Sequence, residues 1–380
     1  MQLSVIILNY NVRYFLEQCV LSVQKALEGI DGEIIVIDNA SSDDSCEMMK
    51  AKFPHIKLIE NKDNLGFPKG NNIGVAQAKG EYICILNPDT VVAEDTFSKI
   101  LSFVKSSEVE IFSSNSQLGI IGCKLIDGAG NFLPESKRGV PTPWVAFTKI
   151  FGLYKISNYF GKYYAQHLSE NESGKVDILV GAFMVMKREL YLEVGGFDED
   201  CFMYSDDIDL SYLVLKTGKS NYYFHETSVI HYKGESTVRD GTYMKLFREA
   251  MQFFYKKHFK KSWFFDVMMQ VGSFVFSLLK KNQQKNEVRT IDEYVVFSKG
   301  NLELNLSKKA TYLSDFNYFE NQSHKNIEII FDTTTFSFAE IITFMQLNKS
   351  KNLSFKNYIS SSNYLIGSNN SNDRGQIILL

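Results

Sequence analysis

The N-terminal part of the chain alternates short apolar runs with segments of helical spacing, and this alternation restricts the possible folds more than any other feature. Apolar runs lie at residues 3–8, 33–38, 56–60 and 81–87, and predicted helices lie at residues 12–27, 41–50, 70–78 and 94–105. Continuous apolar runs are typical of strands that are buried on both faces. Strands that alternate with helices predict an α/β fold with a doubly wound, mostly parallel sheet.

Polar side chains follow the predicted strands. Asn9, Asp38 and Asn61 come at or just after the ends of three strands, and residues 87–89 follow the fourth. In open α/β sheets, ligands bind at the carboxyl ends of the strands. These residues are therefore expected to share one rim that forms a binding site.

Composition excludes several classes of protein. The 380 residues include 44% hydrophobic and 22% charged residues, which is typical of a globular protein and argues against general disorder. The formal net charge of −3 provides no global basic field for nucleic acid. Five scattered cysteines without a CxxC pair argue against a disulfide framework or a zinc site, and they favour a reducing cytoplasm.

The character of the chain changes near residue 255, so we predict three parts: residues 1–255, 256–285 and 286–380. Within residues 255–281, basic clusters flank an aromatic and apolar stretch. Two interpretations stay open for this segment: an interfacial helix on an anionic membrane, and a core helix with solvated lysines at both ends. The last part predicts a small α/β unit without a chemical motif, with strands at 327–332 and 364–368 and a helix at 338–347.

A candidate metal site lies at Asn87-Pro88-Asp89, at the end of an apolar strand. Mg²⁺ and Mn²⁺ prefer oxygen ligands and commonly bridge one or two carboxylates to substrate phosphates. His231 follows another apolar strand and is a candidate to complete the coordination. A simple Asn-Pro-Asp turn and a structural histidine are the alternatives.

A second candidate is the acidic region at residues 195–200 and 205–210. A carboxylate there, such as Asp207 with Asp206 beside it, has the chemistry of a general base. The alternative is a helix start, in which Ser205 caps the first turn and the acids complement the helix dipole.

Two further stretches suit a nucleotide. Asp38 is a candidate acceptor of hydrogen bonds from a base or ribose, in a stretch that is equally typical of a loop and helix cap. Glycines in residues 61–74 allow the backbone to approach a ligand, and Lys69 is a candidate phosphate contact. This stretch contains neither a P-loop nor GxGxxG, and a turn that enters a helix is the alternative.

As an ordered set, these motifs resemble the inverting family-2 glycosyltransferases with a GT-A fold, in particular the rhamnosyltransferase-like branch that builds bacterial surface polysaccharides. The resemblance covers roughly residues 3–240. Its motifs are SVIILNYN (4–11), DNASSDDS (38–45), NLGFPKGNNIG (64–74), LNPDT (86–90), GAFMVMKR (181–188), GGFDED (195–200), YSDDIDL (204–210) and HYKGES (231–236).

The resemblance implies roles for individual residues. Asp38, with Asn9 and Asn11 nearby, is expected to contact the nucleotide base. Donor-binding residues are also expected at Asn64, Gly66, Lys69 and Asn87. Asp89 matches the metal-binding aspartate of the DxD-type motif, and His231 matches a histidine near the metal and diphosphate. Asp207 matches the catalytic base of the family's Glu-Asp dipeptide, in which Asp206 replaces the glutamate; likewise, Asn87 leaves only one carboxylate in the DxD-type motif.

The expected activity is therefore inverting transfer of a sugar, with rhamnose as a candidate, from a dTDP-, UDP- or GDP-sugar to a glycan or lipid-linked acceptor. A Mg²⁺ or Mn²⁺ cofactor, no nucleic-acid partner and a cytoplasmic location, peripheral on the inner membrane face, accompany this expectation. One alternative is a sugar nucleotidyltransferase, but residues 9–13 lack its Gly-rich, basic phosphate loop. A non-catalytic glycan-binding protein is the other alternative, and the presence of Asp89 and Asp207 argues against it.

Overall fold

The apolar runs form the strands of the first sheet. In a computed structural model, the described residues are 1–111, 118–142, 144–145, 163–201, 204–233, 241–259, 290–321, 324–369 and 375–380. The first half of the chain forms β1 (Leu3–Asn9), α1 (Arg13–Ala26), β2 (Gly32–Asp38), α2 (Ser45–Lys52), β3 (Lys57–Glu60), α3 (Gly66–Ala76), β4 (Tyr82–Leu86), β5 (Thr90–Val91) and α4 (Thr96–Ile111). Strands β1 and β4 are buried along their whole length, as a sheet covered on both faces requires.

The chain then adds strands to the other side of this sheet. These elements are β6 (Leu118–Ile126), a 3₁₀ turn (Pro134–Ser136), β7 (Gly174–Val176), β8 (Phe183–Lys187), α5 (Arg188–Glu193), α6 (Asp206–Lys216), β9 (Ser220–His231) and α7 (Gly241–His258). Among the described residues, the strand order is β3-β2-β1-β4-β8-β6-β9-β5, with β7 paired to β9. Strands β3, β2, β1 and β4 are parallel, and β8 joins β4 in antiparallel orientation. This agrees with the predicted α/β class. We call residues 1–259 the N-terminal unit.

A second sheet follows, which we call the C-terminal unit (residues 290–380). Its elements are β10 (Glu293–Phe297), β11 (Ala310–Leu313), β12 (Ile327–Asp332), α8 (Phe338–Leu347), β13 (Leu353–Ile359), β14 (Tyr364–Gly367) and β15 (Gln376–Leu379). The strand order is β11-β10-β12-β13-β14-β15, and the pairs from β11 to β13 are parallel. The predicted small α/β unit is therefore present, with its strand at 327–332 and its helix at 338–347.

Three predicted boundaries are wrong. Helix α2 begins at Ser45 rather than Ser41, because the Ser41 hydroxyl donates to Asp38 and holds the preceding loop. Helix α3 begins at Gly66 rather than Gly70. The apolar stretches YYF (222–224) and SVIHY (228–232) predict two separate strands, but the structure joins them in the single strand β9, whose register against β6 is irregular.

The segment proposed for membrane contact, residues 255–281, lies mostly outside the described residues, which stop at 259 and resume at 290. None of the helices in the described ranges is long and apolar enough to span a membrane.

Candidate active site

The rim begins where β1 and β2 end side by side. Asn9 and Asp38 are paired in the parallel register, and Asn9 Nδ2 donates to Asp38 Oδ1 over 2.8 Å. Asp38 is buried, and it also accepts from the backbone N–H and hydroxyl of Ser41, at 2.8 and 2.6 Å. Both carboxylate oxygens of Asp38 are thus bonded to the loop that follows β2. The structure brings the predicted pair together, and Asp38 shapes this loop.

Asn11 and the loop before α3 extend the same rim. The Asn11 side-chain oxygen accepts from the Ser42 N–H at 2.7 Å, and Asn11 has a positive φ of 56°. Asn64 Oδ1 accepts from the Gly66 N–H at 3.0 Å, in a turn where Gly66 has a φ of 81°. A left-handed conformation of this kind favours glycine.

A buried asparagine joins this second loop to the first. The side-chain amide of Asn39, which follows Asp38, donates to the Gly66 carbonyl at 3.1 Å. Lys69, by contrast, lies 3.8 Å from Glu199, and both side chains are about half exposed. The structure thus places the predicted phosphate contact beside an acidic partner on the surface.

The candidate metal ligands meet at the end of β4. Strand β5 pairs with β9 so that Thr90 lies opposite His231, and this brings His231 Nε2 to 3.4 Å from Asp89 Oδ1. Asn87 Nδ2 lies 3.4 Å from the same histidine nitrogen. Both Asp89 and His231 are buried. The sequence-predicted residues are therefore in contact although 142 positions separate Asp89 from His231.

This arrangement suits a divalent cation. Ligands of an octahedral Mg²⁺ stand about 2.1 Å from the ion, so adjacent ligand atoms lie roughly 3 Å apart. The separation between Asp89 Oδ1 and His231 Nε2 is close to that value. In addition, Asn87 Oδ1 and His231 Nδ1 are buried atoms without a hydrogen-bond partner in the described part of the chain. The described ranges contain no group of three or more His, Cys, Asp and Glu side chains placed to hold a metal ion.

The acidic helix start holds the candidate base. Asp206 and Asp207 open α6 and are both buried. Ser205 precedes them but makes no side-chain capping bond, so that part of the helix-cap alternative is wrong. Burial raises the pKa of Asp206 to about 7, and the Asp207 carboxylate adds to this rise.

Arg138 is a functional candidate that the sequence analysis missed. Its Nη2 donates to Asp207 Oδ2 over 2.5 Å, and the Gly181 N–H donates to the same oxygen at 3.1 Å. Burial opposes the charge on Arg138, but the Asp207 carboxylate and Tyr163 together outweigh this and raise the pKa of the guanidinium. In the sequence, Arg138 follows Lys137 in an irregular stretch, so no local signal identifies it.

The two residues that precede β8 contact both the candidate base and the end of β4. The Gly181 N–H binds Asp207, and the next residue, Ala182, accepts the Asn87 N–H at 3.1 Å. A Cβ on Gly181 would lie 3.4 Å from the Asp207 Cβ and 3.6 Å from the Phe67 ring. The Gly181–Ala182 segment therefore contacts Asp207 through one residue and the end of β4, next to Asp89, through the other.

Two other acids of the acidic region form structural ion pairs. Lys257 in α7 bridges Asp198 and Asp209, at 2.5 and 2.8 Å. Asp209 also contacts His258, and burial lowers the pKa of that imidazole despite the neighbouring carboxylate. These ion pairs anchor α7 on α6.

Comparisons with known proteins identify the family of this chain. The family described as Glycosyl transferase family 2 matches residues 4–195. N-acetylglucosaminyl-diphospho-decaprenol L-rhamnosyltransferase of Mycobacterium tuberculosis is 25% identical over 249 residues, which cover 63% of this chain and 78% of the relative. The minor teichoic acid biosynthesis protein GgaB of Bacillus subtilis is 24% identical over 286 residues, which cover 74% of this chain and 27% of GgaB.

A solved structure is similar at lower identity. The mannosyltransferase PcManGT from Pyrobaculum calidifontis, in complex with GDP-Man and Mn²⁺, is 15% identical, with a TM-score of 0.48 over 75% of this chain and 76% of that chain. The family assignment decides against the nucleotidyltransferase and the non-catalytic alternatives. Because the family match spans half of the chain, the protein belongs to glycosyl transferase family 2 and is a glycosyltransferase.

Proposed function

We propose that this glycosyltransferase inverts the anomeric centre of a nucleotide-activated sugar in one displacement, with Asp207 as the base. The acceptor oxygen attacks the anomeric carbon, its proton passes to Asp207, and the bond to the diphosphate breaks with its electron pair on the leaving oxygen. The observation that carries this proposal is the Gly181–Ala182 segment, which holds Asp207 and the end of β4 on its two sides. The transition state has oxocarbenium character, as in other glycosyl chemistry.

Asp207 is oriented for this role. In the described residues, the two donors to Asp207 both reach Oδ2, which leaves Oδ1 as the proton acceptor. Arg138 stabilises the ionised carboxylate before the reaction, and its fixed position costs no reorganisation in the transition state. Burial raises the pKa of Asp206, so this carboxyl keeps its proton to a higher pH than an exposed aspartate does.

Asp89 and His231 are the residues that would hold a Mg²⁺ or Mn²⁺. When bound, the cation supplies charge neutralisation for the departing nucleoside diphosphate. Asn9, Asn11, Asp38, Asn64 and Gly66 form the rim that would receive the nucleoside, since their side chains and turns join at the ends of β1 and β2.

For the substrates, we propose a dTDP-, UDP- or GDP-sugar donor, with rhamnose as the first candidate, and a lipid-linked sugar or glycan acceptor in surface polysaccharide assembly. The support is the similarity to the mycobacterial rhamnosyltransferase, whose name states such an acceptor. The same proposal places residues 255–281 at an anionic membrane surface on the cytoplasmic side, which liposome binding at low salt tests.

A panel of nucleotide sugars with lipid-diphosphate-linked sugar acceptors tests the proposal directly. We expect one donor to release its nucleoside diphosphate in a reaction that EDTA stops and Mg²⁺ or Mn²⁺ restores. Mass spectrometry identifies the product, and NMR of the new linkage gives its anomeric configuration. Retention of configuration would refute the single displacement, and release of pyrophosphate would refute glycosyl transfer from a diphosphate donor.

Steady-state kinetics tests the role of Arg138. Arg138→Gln removes the charged donor that fixes Asp207 Oδ2. Misplacement of a catalytic group by about 1 Å can cost about 10²-fold in rate. We therefore expect kcat/KM to fall about 10- to 100-fold in this variant.

Lys137→Gln is the matched control, because Lys137 is buried in the same stretch but donates to the Ala165 and Leu168 carbonyls. We expect this variant to keep the wild-type kcat/KM. Equal kcat/KM values for Arg138→Gln and the wild type would show that Arg138 does not act on the base.

A further inference from the structure

The C-terminal unit packs against the back of the strand pair that carries the candidate metal ligands. Val91 in β5, Ile230 in β9 and Tyr232 belong to the same buried apolar cluster as Phe336 and Ile341 of the C-terminal unit. Since Thr90 and His231 are neighbours in register, this cluster lies directly behind the Asp89–His231 contact. Packed interiors deform little, so a core shared in this way fixes the position of both strands.

A carboxylate from the N-terminal unit anchors the first helix turn of the C-terminal unit. Glu94 lies three residues after β5, and its two oxygens accept the backbone N–H groups of Phe338 and Ala339 at 2.8 and 2.9 Å. These N–H groups belong to the first turn of α8, where negative charge is favourable. Lys25 forms a second link between the two units, because its Nζ donates to the Thr333 carbonyl at 2.9 Å.

Tyr232 links the two units at the other end of the strand pair. Its backbone N–H donates to the Asp89 carbonyl at 3.0 Å. Its hydroxyl accepts from Asn357 Nδ2 of β13 at 3.4 Å, and its ring packs edge-on against Phe15 at 5.2 Å. Asn357 of the C-terminal unit thus donates a hydrogen bond to Tyr232. Tyr232 in turn follows His231 and binds the backbone of Asp89.

From these contacts we infer that the C-terminal unit is a positioning element of the metal site. It holds β5 and the end of β9 from behind, so that Asp89 and His231 face each other before a cation arrives. A cation that binds pre-oriented ligands does not have to order them, and supporting residues of this kind commonly change metal affinity. The inference rests on the proposed metal role of Asp89 and His231, and it gives the C-terminal unit a function beyond folding.

The test compares two carboxylates at the same helix start. Glu94 reaches α8 from the N-terminal unit, whereas Glu340 belongs to α8 itself and caps it through Ser337. In the full-length protein, Mn²⁺ binding is titrated by electron paramagnetic resonance, with inorganic pyrophosphate in place of the nucleoside diphosphate. For the Glu94→Gln/Tyr232→Phe double variant, we expect the Mn²⁺ Kd to rise about tenfold, the lower end for supporting residues of a metal site. Glu340→Gln is expected to lower the melting temperature without changing this Kd.

The outcomes separate this inference from the proposed function. If wild type binds Mn²⁺ no better than Asp89→Asn, the metal site itself is refuted. If Asp89→Asn loses binding but the double variant keeps the wild-type Kd, only the positioning role is refuted. An equal loss in Glu340→Gln would show general destabilisation instead and also overturns the inference. If the double variant does not fold, as circular dichroism would show, Tyr232→Phe alone is measured against the same criteria.

Discussion

Replacing Asp207 by asparagine is expected to lower kcat by about 10³-fold, within the range that general-base catalysis contributes. The amide cannot take the acceptor proton, but its oxygen can still accept from Arg138 and the Gly181 N–H. The variant should therefore keep its fold and its donor affinity. Steady-state kinetics measures kcat, and calorimetry with the donor that the panel identifies measures binding.

Asp206→Asn is the matched control. Asp206 and Asp207 are both buried in the first turn of α6, but in the described residues the Arg138 and Gly181 hydrogen bonds go to Asp207 and not to Asp206. We expect Asp206→Asn to keep most of the turnover, because an amide resembles the neutral acid that burial already favours at this position. Near-normal turnover in Asp207→Asn would contradict the base assignment. A large loss in Asp206→Asn alone would transfer the role to that residue.

The parts of the fold that the sequence predicts are those set by local patterns. Strands β1, β2 and β4 are continuous apolar runs because the sheet is covered on both faces, and that pattern is visible without a structure. The contact between Asn9 and Asp38 follows in the same way, since adjacent parallel strands place their ends together. A rim was therefore predictable from strand order and strand ends alone.

The features that the sequence does not predict depend on contacts between residues that are distant along the chain. Arg138 lies 69 positions before Asp207, and only the folded chain brings the guanidinium to the carboxylate. The docking of α8 on Glu94 spans 244 positions, and in the sequence Glu94 was indistinguishable from a residue of the helix after β5. Similarly, the sequence offered Ser205 and the acids after it as a helix cap, whereas the structure shows that charge pairing with Arg138 distinguishes Asp207.

Removing the carboxylate of Asp89 is expected to cause the second large loss of activity. Asp89→Asn should lower kcat/KM by about 10²- to 10³-fold at saturating Mg²⁺, since a cation at a leaving group contributes several kcal/mol to the transition state. Treatment of the wild type with EDTA should cause a comparable loss that added Mn²⁺ reverses. The loss in Asp89→Asn should not be reversible in this way, because His231 is then the remaining ligand of the pair.

A substitution of Asn87 is expected to change the Mn²⁺ affinity in the direction opposite to Asp89→Asn. Its Nδ2 lies 3.4 Å from His231 Nε2, so Asn87→Asp would put a second carboxylate beside the proposed cation. More carboxylate ligands favour binding of a hard cation, and we therefore expect Asn87→Asp to lower the Mn²⁺ Kd, whereas Asp89→Asn raises it. Mn²⁺ titration of both variants measures the two shifts. Disturbed packing at the end of β4 would weaken binding in both variants. Opposite shifts, by contrast, require a cation held between β4 and His231.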